Sequence, residues 1–479
     1  MLNNIEPKEV WKNFELLNAV PRASKKEAEV IAFMKVFGEN LNLQTYVDEV
    51  GNVIIKKPAS KGMETKPTVA LQTHLDMVHQ KNNDTIFDFA TEGIKMYIDE
   101  DWVKAKGTTL GADNGLGVAA VMAILESNEI VHPALEALFT IDEETGMTGA
   151  KALKGGLLDA KYMLNLDTEE DDDITIGCAG GIDITGSATY EVVAALQNSN
   201  GYKISLTGLS GGHSGVDIHK GIANANKLMN RFLWDLDQKN ILQIVSLEGG
   251  SLRNAIPRES IAVVNITDEK ILEGAVNSFQ TMYKNEYAVT DPNLSLKFEK
   301  LSTAESGVGA EFQEKLLNAL YNLPNGIYRM DSSIEGLVQT SNNLAKVNIG
   351  AGSFTAKCLC RSSVETEKMD MANAIKSSFS LMGATTTFAG TYPGWQPMPH
   401  SDLVKMLVAK YKELNNGEAP TVSAIHAGLE CGIIGTNYPN TQMISFGPTI
   451  HGAHSPDERA SISSSQKFWK YLLELLKSF

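Results

Sequence analysis

The sequence predicts a two-domain α/β protein in which an α+β domain interrupts the first domain. Its 479 residues are too many for one hydrophobic core. The chain alternates helical and strand patterns up to about Ile182, as in a mostly parallel mixed sheet with helices on both faces, and then the order of elements changes. We therefore predict that residues 1–181 and 397–479 form the first domain and that residues 182–396 form the inserted domain.

The elements of the first domain follow from the spacing of its apolar residues. Residues 24–27 have the pattern of a capping box, which predicts that a helix begins there. Short apolar runs predict strands, and the longer apolar run after Asp113 predicts a helix. The predicted strands cover residues 52–57, 68–72, 135–141, 162–166 and 443–446, and the helix covers residues 114–127. The last of these strands predicts that the C-terminal tail returns to the first domain.

The inserted domain begins with the order strand, helix, strand, strand, helix, strand. These elements cover residues 202–207, 223–236, 241–247, 261–266, 268–287 and 294–301. The order βαββαβ is typical of a ferredoxin-like unit. A helix, two strands, a helix and a strand follow between residues 310 and 389, and they suggest an imperfect second copy without a visible sequence repeat.

The composition indicates a globular protein of the cytoplasm. The formal net charge of −16 argues against nucleic acid or an anionic membrane surface as a partner. The most apolar stretch, residues 116–125, is far shorter than the ~20 residues that span a bilayer, and no secretory signal is visible. Four cysteines in so long a chain predict reduced core thiols. The acidic run 169–173 is predicted to be a solvated loop.

Metal-binding side chains follow several of the predicted strands. His74, Glu143 and Asp167 each come after a strand. In open α/β sheets, ligand sites gather beyond the carboxyl ends of the strands. These three side chains are therefore expected to meet at one edge of the sheet and to form a single site.

The chemistry of these side chains suits a pair of divalent ions. A hydrolytic metal site needs nitrogen and oxygen ligands with one position left for water, and two ions can share one carboxylate. Asp113 lies in a glycine-flanked turn and suits the shared position. The remaining candidate ligands are His74, Glu144, Asp167 and His454. Zinc is the expected ion, and cobalt or manganese also suits such donors.

Two further carboxylates have other predicted roles. Asp76 lies two residues after His74 and can accept a hydrogen bond from the second ring nitrogen, which would fix the tautomer of the imidazole. Glu143 and Glu144 cannot both point the same way at the end of a strand. One of them can therefore bind metal while its neighbour faces the attacking water as a general base.

Five short motifs together resemble those of a known family of metallohydrolases. The motifs are residues 72–76, 111–115, 142–146, 165–167 and 454–458. They are similar to the motifs of the di-zinc exopeptidases, which include carnosinases, glutamate carboxypeptidases and aminoacylases. His451 competes with His454 as the C-terminal ligand, and the Ser-Pro-Asp-Glu sequence that follows His454 favours the latter.

The resemblance implies a di-zinc catalytic domain and a division of the ligands between two ions. The implied ligand sets are His74, Asp113 and Asp167 for one ion, and Asp113, Glu144 and His454 for the other. Glu143 would then be the catalytic base, and Asp76 would orient a histidine ligand. The resemblance also implies a cis peptide bond after Asp113.

The inserted domain resembles the lid of this family. The resemblance implies that His213 stabilises the tetrahedral oxyanion and that Asn254 contacts the substrate; an ordinary turn residue is the alternative for each. Arg361 would hold the C-terminal carboxylate of the substrate, with a routine surface ion pair as the alternative. His426 and Glu430 would line further parts of the substrate site, with Glu430 on the side of the amino group.

These implications make a metal-dependent dipeptidase the first functional hypothesis. Its substrates would be small dipeptides with a free N-terminus and a C-terminal carboxylate, including those with histidine in the second position. An N-acyl-amino-acid amidohydrolase would use the same machinery on substrates without a free α-amino group. A binding or scaffold protein without activity is the third hypothesis, and the presence of Glu143 with all five ligands argues against it. The resemblance leaves open a homodimer, and with it whether His213 acts within its own chain.

Overall fold

The computed structural model describes residue 2 and residues 4–479, which divide into two compact units. Unit 1 contains the described residues up to Gly177 together with Pro397–Ala424 and Leu429–Phe479, and unit 2 contains Cys178–Gln396 and Ile425–Gly428. The short segment Ile425–Gly428 carries His426 into unit 2, whereas the sequence assigns it to the first domain. No helix in the described part of the chain is long and apolar enough to cross a membrane.

The chain forms its helices and strands in three consecutive segments. The N-terminal segment contains α1 (Lys8–Asn18), α2 (Ala28–Asn40), β1 (Gln44–Val47), β2 (Val53–Lys57), β3 (Val69–His74), β4 (Met96–Asp99), β5 (Trp102–Ala105), α3 (Ala112–Glu126), β6 (Leu135–Thr140), α4 (Glu143–Gly146), α5 (Thr148–Ala152), β7 (Tyr162–Asn165) and β8 (Asp173–Cys178). The middle segment contains β9 (Gly180–Thr189), β10 (Val192–Val193), β11 (Asn200–Thr207), β12 (Gly212–His213), α6 (Ala225–Gln238), β13 (Leu242–Gly249), β14 (Ala255–Ile256), β15 (Ser260–Ile266), α7 (Glu269–Glu286), β16 (Ser295–Lys300), β17 (Gly307–Val308), α8 (Ala310–Asn322), β18 (Gly326–Met330), β19 (Val338–Gly350), β20 (Ser353–Ser362), α9 (Glu365–Leu381) and β21 (Thr385–Tyr392). The C-terminal segment contains α10 (Asp402–Leu414), β22 (Thr421–Ile425), α11 (Glu430–Asn437), β23 (Gln442–Ser445), β24 (Ile450–His451), β25 (Arg459–Ser461) and α12 (Ile462–Ser478).

Unit 1 is built around an eight-stranded mixed sheet with the order β1-β2-β6-β3-β7-β23-β8-β22. The pairs β6–β3, β3–β7 and β7–β23 are parallel, whereas β1, β2 and β8 pair antiparallel toward the edges. Every residue of β3 and β6 is buried, as expected for central parallel strands covered on both faces. α2 packs against β1 and β2, and α3 packs against β3. The predicted α/β class is confirmed.

The register of the central strands places the predicted site at one edge of this sheet. β3 ends at His74, which lies opposite Thr140 at the end of β6. Gln72 of β3 lies opposite Asn165 at the end of β7. Because the three strands are parallel, the segments that follow them emerge at the same edge.

The predicted capping box at residues 24–27 is wrong. α2 begins at Ala28, and no side chain caps it. The Ser24 hydroxyl donates instead to Asp76 Oδ2 at 2.8 Å, and Glu27 accepts the backbone N–H of Asp142 at 3.1 Å. These polar residues therefore stabilise the segments that carry the candidate site rather than the start of a helix.

The acidic run 169–173 is only partly the solvated loop that the sequence predicted, because Glu170 and Asp172 are exposed but the other three carboxylates are half-buried. Asp171 forms an ion pair with Lys467 at 2.6 Å, and Asp173 accepts a hydrogen bond from the Ser423 hydroxyl at 2.8 Å. Glu169 is half-buried, and burial together with nearby carboxylates raises its pKa to about 8. The partners of Asp171 and Asp173 lie far away in sequence, so composition alone did not indicate which carboxylates of the run are half-buried.

Unit 2 contains two copies of a ferredoxin-like fold, and their strands lie side by side in one sheet. The sheet order is β16-β11-β15-β13-β19-β20-β9-β21, with β18 paired to β19. The elements β11, α6, β13, β15, α7 and β16 form the predicted first copy. The elements β9, α8, β19, β20, α9 and β21 have the same order of strands and helices, and their strands have the same neighbours in the sheet. The second copy therefore exists, and the first copy is inserted between its first strand and its first helix.

The core of unit 2 lies where helices α6 and α9 pack on this sheet. α6 contacts β11, β13 and β15, and α9 contacts β9, β20 and β21. α6 buries Leu228, Phe232 and Leu236, which are spaced about one helical turn apart. Full burial of a side chain of this size contributes about 1.5–3 kcal/mol. All four cysteines of the chain are buried and none forms a disulfide, which confirms the prediction of core thiols.

Candidate metal centre

His74 lies at the centre of a group of carboxylates in unit 1. The imidazole is only 1% exposed. Its Nε2 atom is 3.1 Å from Asp113 Oδ1 and 3.4 Å from Asp167 Oδ1. The end of β3 thus brings one nitrogen donor between two oxygen donors, as the strand-end argument predicts.

A strongly turned backbone presents Asp113 to this group. Gly111 has a φ of 70° in the left-handed region, where glycine is favoured, and directly precedes α3. Asp113 itself has non-helical dihedral angles, and the peptide bond between Asp113 and Asn114 is cis, which confirms the expectation from the resemblance. The Asn114 side chain donates to the carbonyl of Leu166 at 2.5 Å. This bond ties the turn to the segment that carries Asp167.

A second histidine contacts the other oxygen of Asp113. His454 Nε2 is 3.2 Å from Asp113 Oδ2 and 2.9 Å from Glu144 Oε2. The two carboxylate oxygens of Asp113 therefore face two different imidazoles. His451 lies elsewhere, with its ring centroid 5.1 Å from that of Trp102. The geometry favours His454 over His451 as the C-terminal ligand.

The donor set fits a divalent metal centre. Ligand atoms of His74, Asp113 and Glu144 all lie within 4.8 Å of one another. Glu144 Oε1 is buried and has no hydrogen-bond partner, and the buried Asp167 Oδ1 has only its 3.4 Å contact with His74 Nε2. Buried carboxylate oxygens without partners are costly, and a bound cation would satisfy them. Imidazole nitrogens and carboxylate oxygens are donors that suit zinc, cobalt or manganese.

The electrostatics of the group couple metal binding to pH. Hydrogen bonds to Asp113 and Glu144 raise the pKa of His454 to about 11. Burial lowers the pKa of His74, but the charge of Asp167 and hydrogen bonds to neighbouring carboxylates outweigh burial and raise it overall. A metal ion held by these imidazoles would compete with the protons on them. The affinity of the site for metal should therefore rise with pH.

Glu143 lies in the short helix α4 beside the ligands. Its backbone N–H donates to Asp76 Oδ1 at 3.0 Å, and that of Glu144 donates to Asp76 Oδ2 at 3.3 Å. Burial raises the pKa of the Glu143 carboxyl well above its usual range; His74 opposes this shift, and Asp167 reinforces it. A carboxylate whose pKa is raised accepts a proton more readily, which suits a general base.

The carboxylate of Asp76 contacts the backbone of the Glu143 turn more closely than it contacts the ring of His74. The Nδ1 atom of His74 is 3.2 Å from the carbonyl oxygen of Asp76 and 3.5 Å from its Oδ1. The backbone carbonyl is therefore the nearer acceptor for this ring nitrogen. The prediction that the carboxylate of Asp76 orients His74 describes only part of its contacts.

Unit 2 contains a second group of predicted residues around Arg361. The Arg361 side chain is 5% exposed and donates from Nη1 to the Tyr392 hydroxyl at 2.8 Å, while its Nε has no hydrogen-bond partner. It forms no ion pair within residues 2 and 4–479, so the surface ion pair considered as the alternative is wrong. His426 is 6% exposed, with Nε2 2.7 Å from the Ser341 hydroxyl and no partner for Nδ1. Burial and the charge of Arg361 lower the pKa of His426 to about 3.

His213 has a defined tautomer in this group. Its Nδ1 accepts the backbone N–H groups of Gly215 at 3.2 Å and Val216 at 3.1 Å. Burial and the charge of Arg361 lower its pKa, so the neutral ring is favoured and its proton lies on Nε2. Asn254 is brought alongside, because its carbonyl accepts the N–H of Ser214 at 2.7 Å. His213 can therefore act as a hydrogen-bond donor, the property that an oxyanion site requires.

Glu430 lies in unit 1 and not in the Arg361 group. It is 2% exposed, and its Oε2 accepts hydrogen bonds from Gln72 at 2.6 Å and from Thr140 at 2.7 Å. Its Oε1 has no hydrogen-bond partner, and burial raises its pKa to about 7. The structure thus places Glu430 at the carboxyl edge of the sheet with Glu143.

Sequence reasoning missed two charged residues that contact the same loops. Arg22 and Glu458 are buried and bond to the backbone around Gly111. A contact to backbone atoms leaves no pattern of spacing, so no signal in the sequence pointed to Arg22. Glu458 lies within the motif 454–458, and that position was the available signal for it.

Comparisons with known proteins agree with this fold. Peptidase family M20/M25/M40 matches the chain over residues 70–478. The cytosol non-specific dipeptidase of Escherichia coli (strain K12) is 40% identical over 99% of this chain and 98% of its own length. The structure of aminoacylhistidine dipeptidase from Vibrio alginolyticus matches with a TM-score of 0.96 and 40% identity, over 100% of this chain and 98% of that chain. An aminopeptidase from Bacillus cereus, at 16% identity and a TM-score of 0.57 over 99% and 98% of the two chains, shares the fold. The family match and the full-length similarity show that the chain belongs to peptidase family M20/M25/M40 and is a metallopeptidase.

Proposed function

We propose that this chain is a metal-dependent dipeptidase with Glu143 as its general base. The observation that carries the proposal is the position of Asp113, whose two carboxylate oxygens face His74 and His454 separately. The names of the relatives from Escherichia coli and Vibrio alginolyticus, both dipeptidases, support the choice of substrate. The substrates proposed are dipeptides with a free N-terminus and a C-terminal carboxylate, including those with histidine in the second position.

The ligands are proposed to hold two ions, most readily zinc, with cobalt and manganese as alternatives. The proposed sets are His74, Asp113 and Asp167 for one ion, and Asp113, Glu144 and His454 for the other. The ions would polarise the substrate carbonyl and make water a stronger nucleophile near neutral pH. Glu143 would take a proton from the attacking water and deliver it to the departing amine.

The substrate is proposed to be recognised by the group around Arg361. Its buried guanidinium has an unpartnered Nε and no acidic partner among the described residues, so it suits the C-terminal carboxylate of a dipeptide. His213, with its proton on Nε2, would donate to the oxyanion. Asn254 and His426 are proposed to contact the substrate, and Glu430 to lie on the side of its amino group. A cytoplasmic location is proposed as well, with support from the name of the cytosolic relative.

A small substrate panel tests the proposal. The metal-stripped protein should not hydrolyse any dipeptide, and addition of zinc, cobalt or manganese should restore turnover. Dipeptides with free ends should be cleaved faster than the same peptides with an acetylated N-terminus. Preference for the acetylated substrates would indicate an amidohydrolase instead, and no turnover with any metal would contradict enzymatic function.

A further inference from the structure

Glu458 binds the backbone of the loop that presents Asp113. The Glu458 side chain is 3% exposed. Its Oε2 accepts the N–H groups of Leu110 at 2.7 Å and Gly111 at 2.9 Å. Its Oε1 accepts those of Ala112 at 2.7 Å and Asp113 at 3.3 Å. The N–H groups at the start of a helix have no partners within the helix, so one buried carboxylate from 345 residues away fixes this whole turn.

Arg22 connects the same loop to the segment after β3. Its guanidinium is 2% exposed and donates from Nη2 to the carbonyl of Gly111. Its Nη1 donates to the carbonyls of Leu75 at 3.1 Å and Asp76 at 3.3 Å. The planar fork of arginine can reach both segments at once, whereas a single ammonium nitrogen cannot hold the same geometry. Arg22 therefore bridges the segment of His74 and the loop of Asp113.

The guanidinium group of Arg22 is tightly enclosed by its neighbours. A Cβ atom added at Gly115 would lie 2.6 Å from Arg22 Nη2, and one added at Gly111 would lie 2.5 Å from the same nitrogen. Arg22 forms no ion pair within 4 Å among residues 2 and 4–479, and its charge is balanced by carbonyl oxygens and by more distant carboxylates such as Glu458. Burial of a charged guanidinium costs desolvation free energy, so the simplest explanation for the position of Arg22 is that it holds the surrounding backbone in place.

We propose that Arg22 and Glu458 form a clamp of positioning residues that sets the separation of His74 and Asp113 and so the metal affinity of the site. The inference rests on the proposed function, because it takes Asp113 to be the shared ligand. Glu458 accepts hydrogen bonds from the backbone N–H groups of the loop that carries Asp113. Arg22 donates to a carbonyl oxygen of the same loop and so ties the loop to the segment after β3. Loss of either contact would let Asp113 move relative to His74. Groups that orient metal ligands typically change metal affinity by about 10- to 100-fold when they are mutated.

A cobalt titration of the metal-stripped full chain tests the clamp. Arg22→Lys keeps the charge but not the fork, and Glu458→Gln keeps the shape but replaces one acceptor with a donor. Each variant should bind cobalt about 10- to 100-fold more weakly than the unmodified protein, with an altered visible absorption spectrum of the bound ion. In Glu458→Gln, the amides of residues 110–113 should also exchange hydrogen faster in the metal-free protein.

The matched control is Lys57→Met at the opposite end of the same helix. Lys57 Nζ donates to the carbonyls of Ile124 at 2.8 Å and Leu125 at 3.2 Å, and also to that of Ser127. This variant should lower thermal stability and leave cobalt affinity and spectrum unchanged.

Unchanged cobalt affinity in either clamp variant would overturn the clamp, as would an equal loss of affinity in Lys57→Met. An unmodified protein that binds no cobalt would contradict the proposed metal site itself, and the clamp with it.

Discussion

At the scale of single residues, Glu143 is the side chain on which the proposed chemistry depends most directly. Glu143→Gln keeps the size of the side chain and the backbone bond to Asp76, but it removes the group that can accept a proton. We expect kcat for a dipeptide to fall by about 100- to 10,000-fold, the usual contribution of a general base. Metal content per chain should stay unchanged because Glu143 is not a proposed ligand. Retained turnover would contradict its role as the base.

Arg361 is proposed to determine which end of a peptide the protein recognises. Arg361→Met removes the buried guanidinium and leaves the Tyr392 hydroxyl without its donor. We expect KM to rise by about 10- to 100-fold for dipeptides with a free carboxylate, since a hydrogen bond to a charged group contributes about 1.5–3 kcal/mol. C-terminally amidated dipeptides should be affected little, and steady-state kinetics on both sets measure the difference. An equal effect on both sets would rule out carboxylate recognition.

His426 should make the stability of the protein depend on pH. Its pKa is lowered from 6.5 to about 3 in the folded chain, so below pH 6.5 the unfolded chain binds a proton that the folded chain does not. The contribution of neutral His426 to the free energy of unfolding is therefore fully present above pH 6.5, and it is lost as the pH falls toward 3. Between pH 7 and pH 5 the free energy of unfolding should drop by about 2 kcal/mol more in the unmodified protein than in His426→Asn. Denaturant titrations at the two pH values measure this, and parallel changes in both proteins would show that His426 does not carry it.

At the scale of elements, the sequence predicted what depends on local pattern. The buried runs at 68–72 and 135–141 correspond to β3 and β6, because central parallel strands need apolar residues on both faces. Ser24 shows the limit of such reasoning: its capping pattern is real, but its hydroxyl donates to Asp76 from another segment. β9 shows a second limit, since it pairs with β20 and β21, which follow only after the complete first copy. Pairing across so long an insertion has no local signature.

Gly250 lies beside the seam between the two ferredoxin-like copies, where β13 pairs with β19. Gly250 follows β13 with a φ of 77°, and a Cβ atom there would lie 1.8 Å from the carbonyl oxygen of Ala345 in β19. Gly250→Ala should therefore destabilise the protein by more than about 1 kcal/mol, since both the backbone conformation and the contact oppose a side chain. Gly274→Ala is the control, because this exposed helical glycine has nothing within 4 Å and should gain roughly 0.5–1 kcal/mol. Thermal melts compare the two, and equal stabilities would contradict the importance of the seam.

At the scale of the whole molecule, the proposed ligands come from both ends of the chain but lie in one unit. His74 and His454 both contact Asp113, although the first domain is interrupted by about 200 residues between them. The sequence allowed His74, Glu143 and Asp167 to be placed together because strand ends of one sheet share an edge, whereas Asp113 and His454 were predicted from their donor chemistry and from the family resemblance. It did not allow Arg22 to be predicted, because that residue contacts only backbone and amide oxygens. Local motifs thus indicate which residues are candidate metal ligands, whereas the contacts that hold those residues in place form only in the folded unit.

This division predicts that metal stabilises the two units unequally. A ligand present at 1,000 times its Kd adds about 4 kcal/mol to the free energy of unfolding of whatever it binds. Removal of metal should therefore speed hydrogen exchange in peptides that cover β3 and residues 110–116. Peptides of α6 and α7 should be unaffected, since all five proposed ligands belong to unit 1. Asp113→Asn supplies the control, because a chain without the shared ligand should show no response to a chelator. Equal responses in α6 and β3 would mean that metal binding stabilises the chain as one cooperative body.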